Sequence, residues 1–99
     1  MAKFMTRVEL HDENDYEILH REMEAEGFSR IIEDDKTKKK YHLPPAEYYY
    51  KDYTTRSKDE VCKKAVRAVL KTNKKYSIVV TKSAGIKGVG LEEVKEEKN

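Results

Sequence analysis

A single cysteine among 99 residues has no partner within the chain. An internal disulfide and a cysteine-based zinc site are therefore both excluded. Long hydrophobic runs are missing too, and nothing approaches the roughly 18–20 apolar residues of a membrane span. Residues 1–10 alternate in character and lack the apolar block of a secretory signal. Three of the 4 glycines, Gly85, Gly88 and Gly90, crowd one short stretch. They do not make a phosphate loop, because no helix follows a GxGxxG and no Walker Lys-Ser/Thr ends the stretch. These absences lead us to expect a reducing, cytoplasmic setting with no membrane association and no cofactor.

Charge is what the chain has in abundance. Charged residues make up 40% and hydrophobic ones 37%, with a mean hydropathy of −0.94. Ile, Val and Tyr are still too frequent for full disorder, and the length suits one domain. The net charge of +2 conceals a strong asymmetry. Residues 1–35 carry 4 Lys/Arg and 11 Asp/Glu, or −7, whereas residues 36–82 carry 14 and 4, or +10. The last 17 residues carry 3 and 4, or −1. Cations gathered on one face would be the footprint of a nucleic-acid binder. The alternative is that the two halves neutralise each other in the fold or across a dimer.

Hydrophobic periodicity predicts six elements. Phe4, Thr6, Val8 and Leu10 alternate with Met5, Arg7, Glu9 and His11, as in a half-buried strand. Asn14 and Glu17 have the spacing of a reciprocal helix cap, and Leu19 and Met23 share a stripe that Gly27 ends. A second strand is expected over Phe28 to Glu33, a polar turn over residues 34–39, and a third strand within Lys40 to Tyr53. Ser57-Lys58-Asp59-Glu60 is a capping box before a helix with Val61, Ala65, Ala68 and Val69 inward and Asn73 as C-cap. Tyr76, Ile78 and Val80 form one side of a fourth strand.

This βαββαβ order predicts an α+β, ferredoxin-like sandwich, an antiparallel sheet with two helices on one face. Pro44-Pro45 falls in a strand that would be central, so a bulge is expected there. Residues 1–91 form the predicted domain. Residues 92–99 are a charged tail expected to be flexible, and the stretch from Ala84, including Leu91 to Val94, is expected either to be loose or to add an edge strand to a partner subunit.

A family resemblance enters on several segments taken in order: Arg7-Val8-Glu9-Leu10-His11-Asp12, Leu19-His20 with Met23, and Gly27-Phe28-Ser29-Arg30. Tyr41-His42-Leu43-Pro44-Pro45-Ala46-Glu47-Tyr48 and Lys75-Tyr76-Ser77-Ile78-Val79-Val80-Thr81 complete it. Across residues 3–91 the chain resembles the GhoS-like endoribonuclease antitoxins of type V toxin–antitoxin systems. The resemblance implies a ferredoxin-like fold related to the CRISPR-adaptation nuclease subunit, a homodimer, and cleavage of single-stranded mRNA. It also sets Asp12 where that subunit has an aspartate facing its symmetry mate. No carboxylate set with metal-ligand spacing accompanies Asp12, so no metal is assigned.

Metal-free RNA cleavage requires a base for the 2′-hydroxyl, cations for the phosphorane and an acid for the leaving oxygen. The candidates are His11, Asp12, Arg7 and Arg30, each with the alternative of a solvated strand face or helix entry. His20 and His42 read as boundary or structural histidines, and Cys62 as an inert thiol. For nucleic-acid binding the candidates are Lys38, Lys39, Lys40, Arg56, Lys63, Lys64 and Arg67 for phosphates, with Tyr48 and Tyr50 for base stacking. Tyr48 and Tyr50 point opposite to Tyr49 along a strand, so only one subset can form a platform. Core or dimer packing is the other reading of these tyrosines. A rival function is a non-catalytic, phage-type inhibitor that binds a protein through its open sheet face.

Overall fold

The computed structural model describes residues 2–11, 16–52, 57–83 and 85–94. Its first strand, β1 (Ala2–Leu10), buries Phe4, Thr6, Val8 and Leu10 and turns Lys3, Met5, Arg7 and Glu9 the other way. α1 (Glu17–Ala25) follows, then β2 (Ile31–Glu33), β3 (Lys40–His42) and β4 (Glu47–Asp52). α2 (Lys58–Leu70) and β5 (Tyr76–Lys82) complete the order. β1 lies between β4 and β5, antiparallel to both. Ser29, just ahead of β2, exchanges backbone bonds of 2.7 and 2.8 Å with Tyr49 and so attaches β2 beside β4. The result is the expected ferredoxin-like α+β arrangement, with one strand divided.

That division occurs at Pro44-Pro45. The predicted third strand is two strands: β3 pairs with β2, and β4 pairs with β1. Proline has no N–H for a ladder, and the turn it forms lets Glu47 N–H reach the Pro44 carbonyl at 2.9 Å. Residues 92–94 lie along the outer edge of β3, where His42 N–H donates to Glu92 at 2.8 Å and Val94 N–H to Lys40 at 2.9 Å. This part of the predicted tail is thus an edge segment of its own sheet.

The helix ends show where capping logic holds and where it fails. Ser57 Oγ accepts from Glu60 N–H at 3.2 Å, as the capping box requires. Gly27 adopts φ +98, with Gly27 N–H bonded to Glu24 and Phe28 N–H to Met23, each at 3.0 Å. This is a Schellman ending, and a Cβ at Gly27 would also stand 3.3 Å from the Tyr50 ring. α1, in contrast, has Tyr16 as its N-cap, without a side-chain cap bond. The Tyr16 hydroxyl is instead taken by Leu10 N–H at 3.1 Å, while the predicted cap Asn14 lies outside the described residues. α2 closes at Lys71, and Asn73, predicted as its C-cap, sits two residues on with φ 58. Asparagine tolerates that left-handed conformation, so the turn ends there.

Candidate nucleic-acid interface

The core fixes which side chains remain available. Leu19 and Met23 of α1 and Val61, Ala65, Ala68 and Val69 of α2 pack on Phe4, Val8, Leu10, Phe28, Tyr48 and Tyr50. Tyr48 is fully buried and Tyr50 is 8% exposed. The register opposes Tyr50 to Phe4 and Tyr48 to Thr6, both inward-facing positions of β1. The assignment of Tyr48 and Tyr50 to base stacking is corrected on that ground: both rings are core.

Tyr48 anchors a polar cluster on the helix side of the sheet. Arginine only donates, so the Arg30 guanidinium, 3.1 Å from His20 Nε2, fixes that nitrogen as an acceptor. His20 Nδ1 then carries the proton and donates to the Tyr48 hydroxyl at 2.6 Å. Arg30 also donates to the Leu43 carbonyl and stands 5.9 Å from the centre of the Tyr48 ring. Burial pushes the Tyr48 phenol well above the ordinary tyrosine range, and the Arg30 charge only partly opposes it. The folded state keeps the proton while the unfolded chain releases it above about pH 10. Stability should therefore be intact below that pH and fall above it by about 1.4 kcal/mol per pH unit. Urea unfolding at a series of alkaline pH values checks this, and Tyr48→Phe should flatten the slope.

Of the predicted catalytic residues, the three that are described, Arg7, His11 and Arg30, do not share one cluster. Arg30 lies with His20 and Tyr48 on the helix side, whereas Arg7 projects from the open face. Arg7 is held between Glu47 at 3.5 Å and Glu9 at 3.7 Å. His11 is exposed beyond the end of β1, its Nε2 2.8 Å from Ser77 Oγ. Four residues of extended chain, roughly 13 Å, separate it from Arg7, and the two side chains hold different partners. Asp12 lies outside the described residues. Among the described residues no cluster of three His, Cys, Asp or Glu could hold a metal ion.

The phosphate candidates divide by electrostatics. Arg67 makes two contacts to the Glu26 carboxylate, at 3.0 and 3.4 Å, and Lys71 reaches Glu22 at 3.3 Å. The Arg67 hydrogen bond holds Glu26 below the usual carboxylate range, with Lys64 adding to its charge stabilisation. The acidic α1 thus neutralises part of α2, which accounts for a share of the charge asymmetry. Lys63 is exposed on the far side of α2, and Arg56 lies outside the described residues.

At the β2–β3 turn the situation differs. Asp34 Oδ1 accepts from Lys36 N–H at 2.8 Å and Thr37 N–H at 3.0 Å, and these bonds hold the Asp34 carboxyl below its usual range. Lys38 takes φ 61 to close the turn. Lys38, Lys39 and Lys40 are all exposed, and none holds an ion pair among the described residues. An ordered turn therefore presents three exposed lysines, of which Lys40 lies across the ladder from Glu33.

These features define an α+β domain with a cationic hairpin and an open, mixed-polarity sheet face. No family model, no curated protein and no solved structure matches the chain. Among the described residues no helix is long and apolar enough to cross a membrane. The sequence places His20 at the helix boundary, whereas the fold links it to Arg30 and Tyr48. No local pattern could reveal it, because the Tyr48 partner is 28 positions away.

Proposed function

We propose that this protein binds single-stranded RNA, with the β2–β3 hairpin as its principal phosphate contact. The observation that carries the reading is the trio Lys38, Lys39 and Lys40, exposed and holding no ion pair among the described residues. Cations already paired within the domain gain little from a phosphate, whereas free ones release counterions from the nucleic acid. The resemblance to endoribonuclease antitoxins adds RNA cleavage to the proposal. His11 on the open face is the residue best suited to act as base there, with Ser77 orienting its ring. A homodimer and a cytoplasmic location belong to the same reading.

Fluorescence anisotropy with a labelled single-stranded RNA at two salt concentrations tests binding, and the endpoint samples run on a gel test cleavage. Affinity that falls steeply with salt is the expected result. Fragments that disappear in His11→Ala would make the protein a nuclease, and intact RNA would restrict it to binding. Absence of binding at low salt would overturn the proposal. The rival, a protein-binding inhibitor, draws on Val79, 60% exposed in the middle of the open face. Its mark would be a stoichiometric protein complex with no salt-dependent RNA affinity.

A further inference from the structure

On the sheet face turned away from the helices, the register places Lys3 directly opposite Lys51 and Met5 opposite Tyr49. Like charges facing each other across an antiparallel ladder repel and lower stability. Neither lysine holds an ion pair among the described residues. Next to them Tyr49 is half-buried on the same face, its neighbours Tyr48 and Tyr50 being turned into the core. Burial first, and then the Asp35 carboxylate of the β2–β3 turn, push the Tyr49 phenol above its ordinary range. Asp35 disfavours an anion at the phenol end, which leaves the lysine end for one. Arg7, farther along the face, is already held by Glu9 and Glu47.

An aromatic ring beside two ammonium groups that hold no ion pair among the described residues has the makeup of a base-stacking and phosphate site. We infer that Tyr49, Lys3 and Lys51 form a nucleotide subsite on the open sheet, with a base on the Tyr49 ring and the adjoining phosphate between the two lysines. The two rows lie two residues apart, about 7 Å along the strands, the scale of one nucleotide. The inference rests on the RNA-binding reading above and extends its surface from the hairpin onto the sheet. A bound phosphate would turn the Lys3–Lys51 repulsion into a shared attraction.

Lys51→Glu separates this role from a structural one. It replaces a repelling cross-strand pair by an attracting one, so the melting temperature should rise while RNA affinity falls. Tyr49→Thr should weaken binding of a short single-stranded RNA about tenfold, and Tyr49→Phe should retain it, since stacking requires the ring alone. Circular dichroism of each variant verifies folding. If wild-type protein binds RNA and both Lys51→Glu and Tyr49→Thr bind equally well, the subsite is refuted and the hairpin reading stands. If wild-type protein does not bind, both are refuted. A change in sedimentation mass without loss of RNA affinity would make this face a contact between copies of the chain, and would also overturn the inference.

Discussion

Tyr48→Ala is expected to bring the domain close to unfolding at 25 °C. The ring is fully buried against Phe28 and His20, with centroid separations of 6.5 and 5.6 Å. Removing a buried aromatic costs about 4 kcal/mol, from lost transfer energy and the cavity left behind. Domains of this size hold only about 5–15 kcal/mol in total. The substitution also strips His20 Nδ1–H of its acceptor and Arg30 of the ring it flanks, so no compensating contact is at hand. Tyr48→Phe should cost less, about 1–2 kcal/mol, because only the hydroxyl partner is lost. Denaturant unfolding measures both. The decisive comparison is RNA affinity of folded Tyr48→Leu, which removes the ring that stacking would need and should nevertheless equal wild type. A large loss there would return Tyr48 to the binding surface and contradict its burial.

Replacing Lys38, Lys39 and Lys40 together by glutamine should produce the largest change in RNA binding. Each single-strand phosphate contact adds about 0.7 to the slope of log affinity against log salt. Three contacts correspond to a slope change of about 2, or about a twentyfold loss of affinity between 50 and 200 mM salt that the variant would no longer show. The turn itself should survive, because it is built from Asp34, Thr37 and backbone bonds rather than from the lysine ammonium groups. Arg67→Gln is the appropriate comparison, since Glu26 already neutralises that cation. Its salt slope should stay near that of wild type. Equal slopes in all three proteins would remove the hairpin from the interface.

Elements governed by local pattern were legible in the residues. The alternation from Phe4 to Leu10 assigned both faces of β1, and Ser57 with the Val61–Val69 spacing assigned the start and inner face of α2. The tyrosine run was not legible in the same way. Tyr48, Tyr49 and Tyr50 contain no polar–apolar alternation, so only pairing with Phe4 and Thr6 decides which rings go inward. Strand alternation gives the parity but not its sign, and Tyr48 and Tyr50, the rings named for stacking, are the inward pair. The residues alone group Arg30 with Arg7 as a phosphate holder for cleavage. In the fold Arg30 meets His20, brought to it by the packing of α1 beside β2 and β4. The division of the third strand could be sensed from Pro44-Pro45, yet a bulge and a full break carry the same signature. The cationic turn of residues 36–40 was legible as composition, and the absence of ion pairs at Lys38, Lys39 and Lys40 among the described residues required the fold.

The short pairing of residues 92–94 along β3 has a bearing on self-association. A strand edge with open N–H and C=O groups is a template on which other chains can grow. His42 N–H and Lys40 C=O, two of the groups that such growth would use, are already occupied by Glu92 and Val94. Charges at Lys40, Glu92 and Glu93 make the same edge unattractive to apolar strands. Residues that contribute almost nothing to the core thus act as a guard against aggregation, and proline substitutions there would expose that edge without disturbing the packed interior.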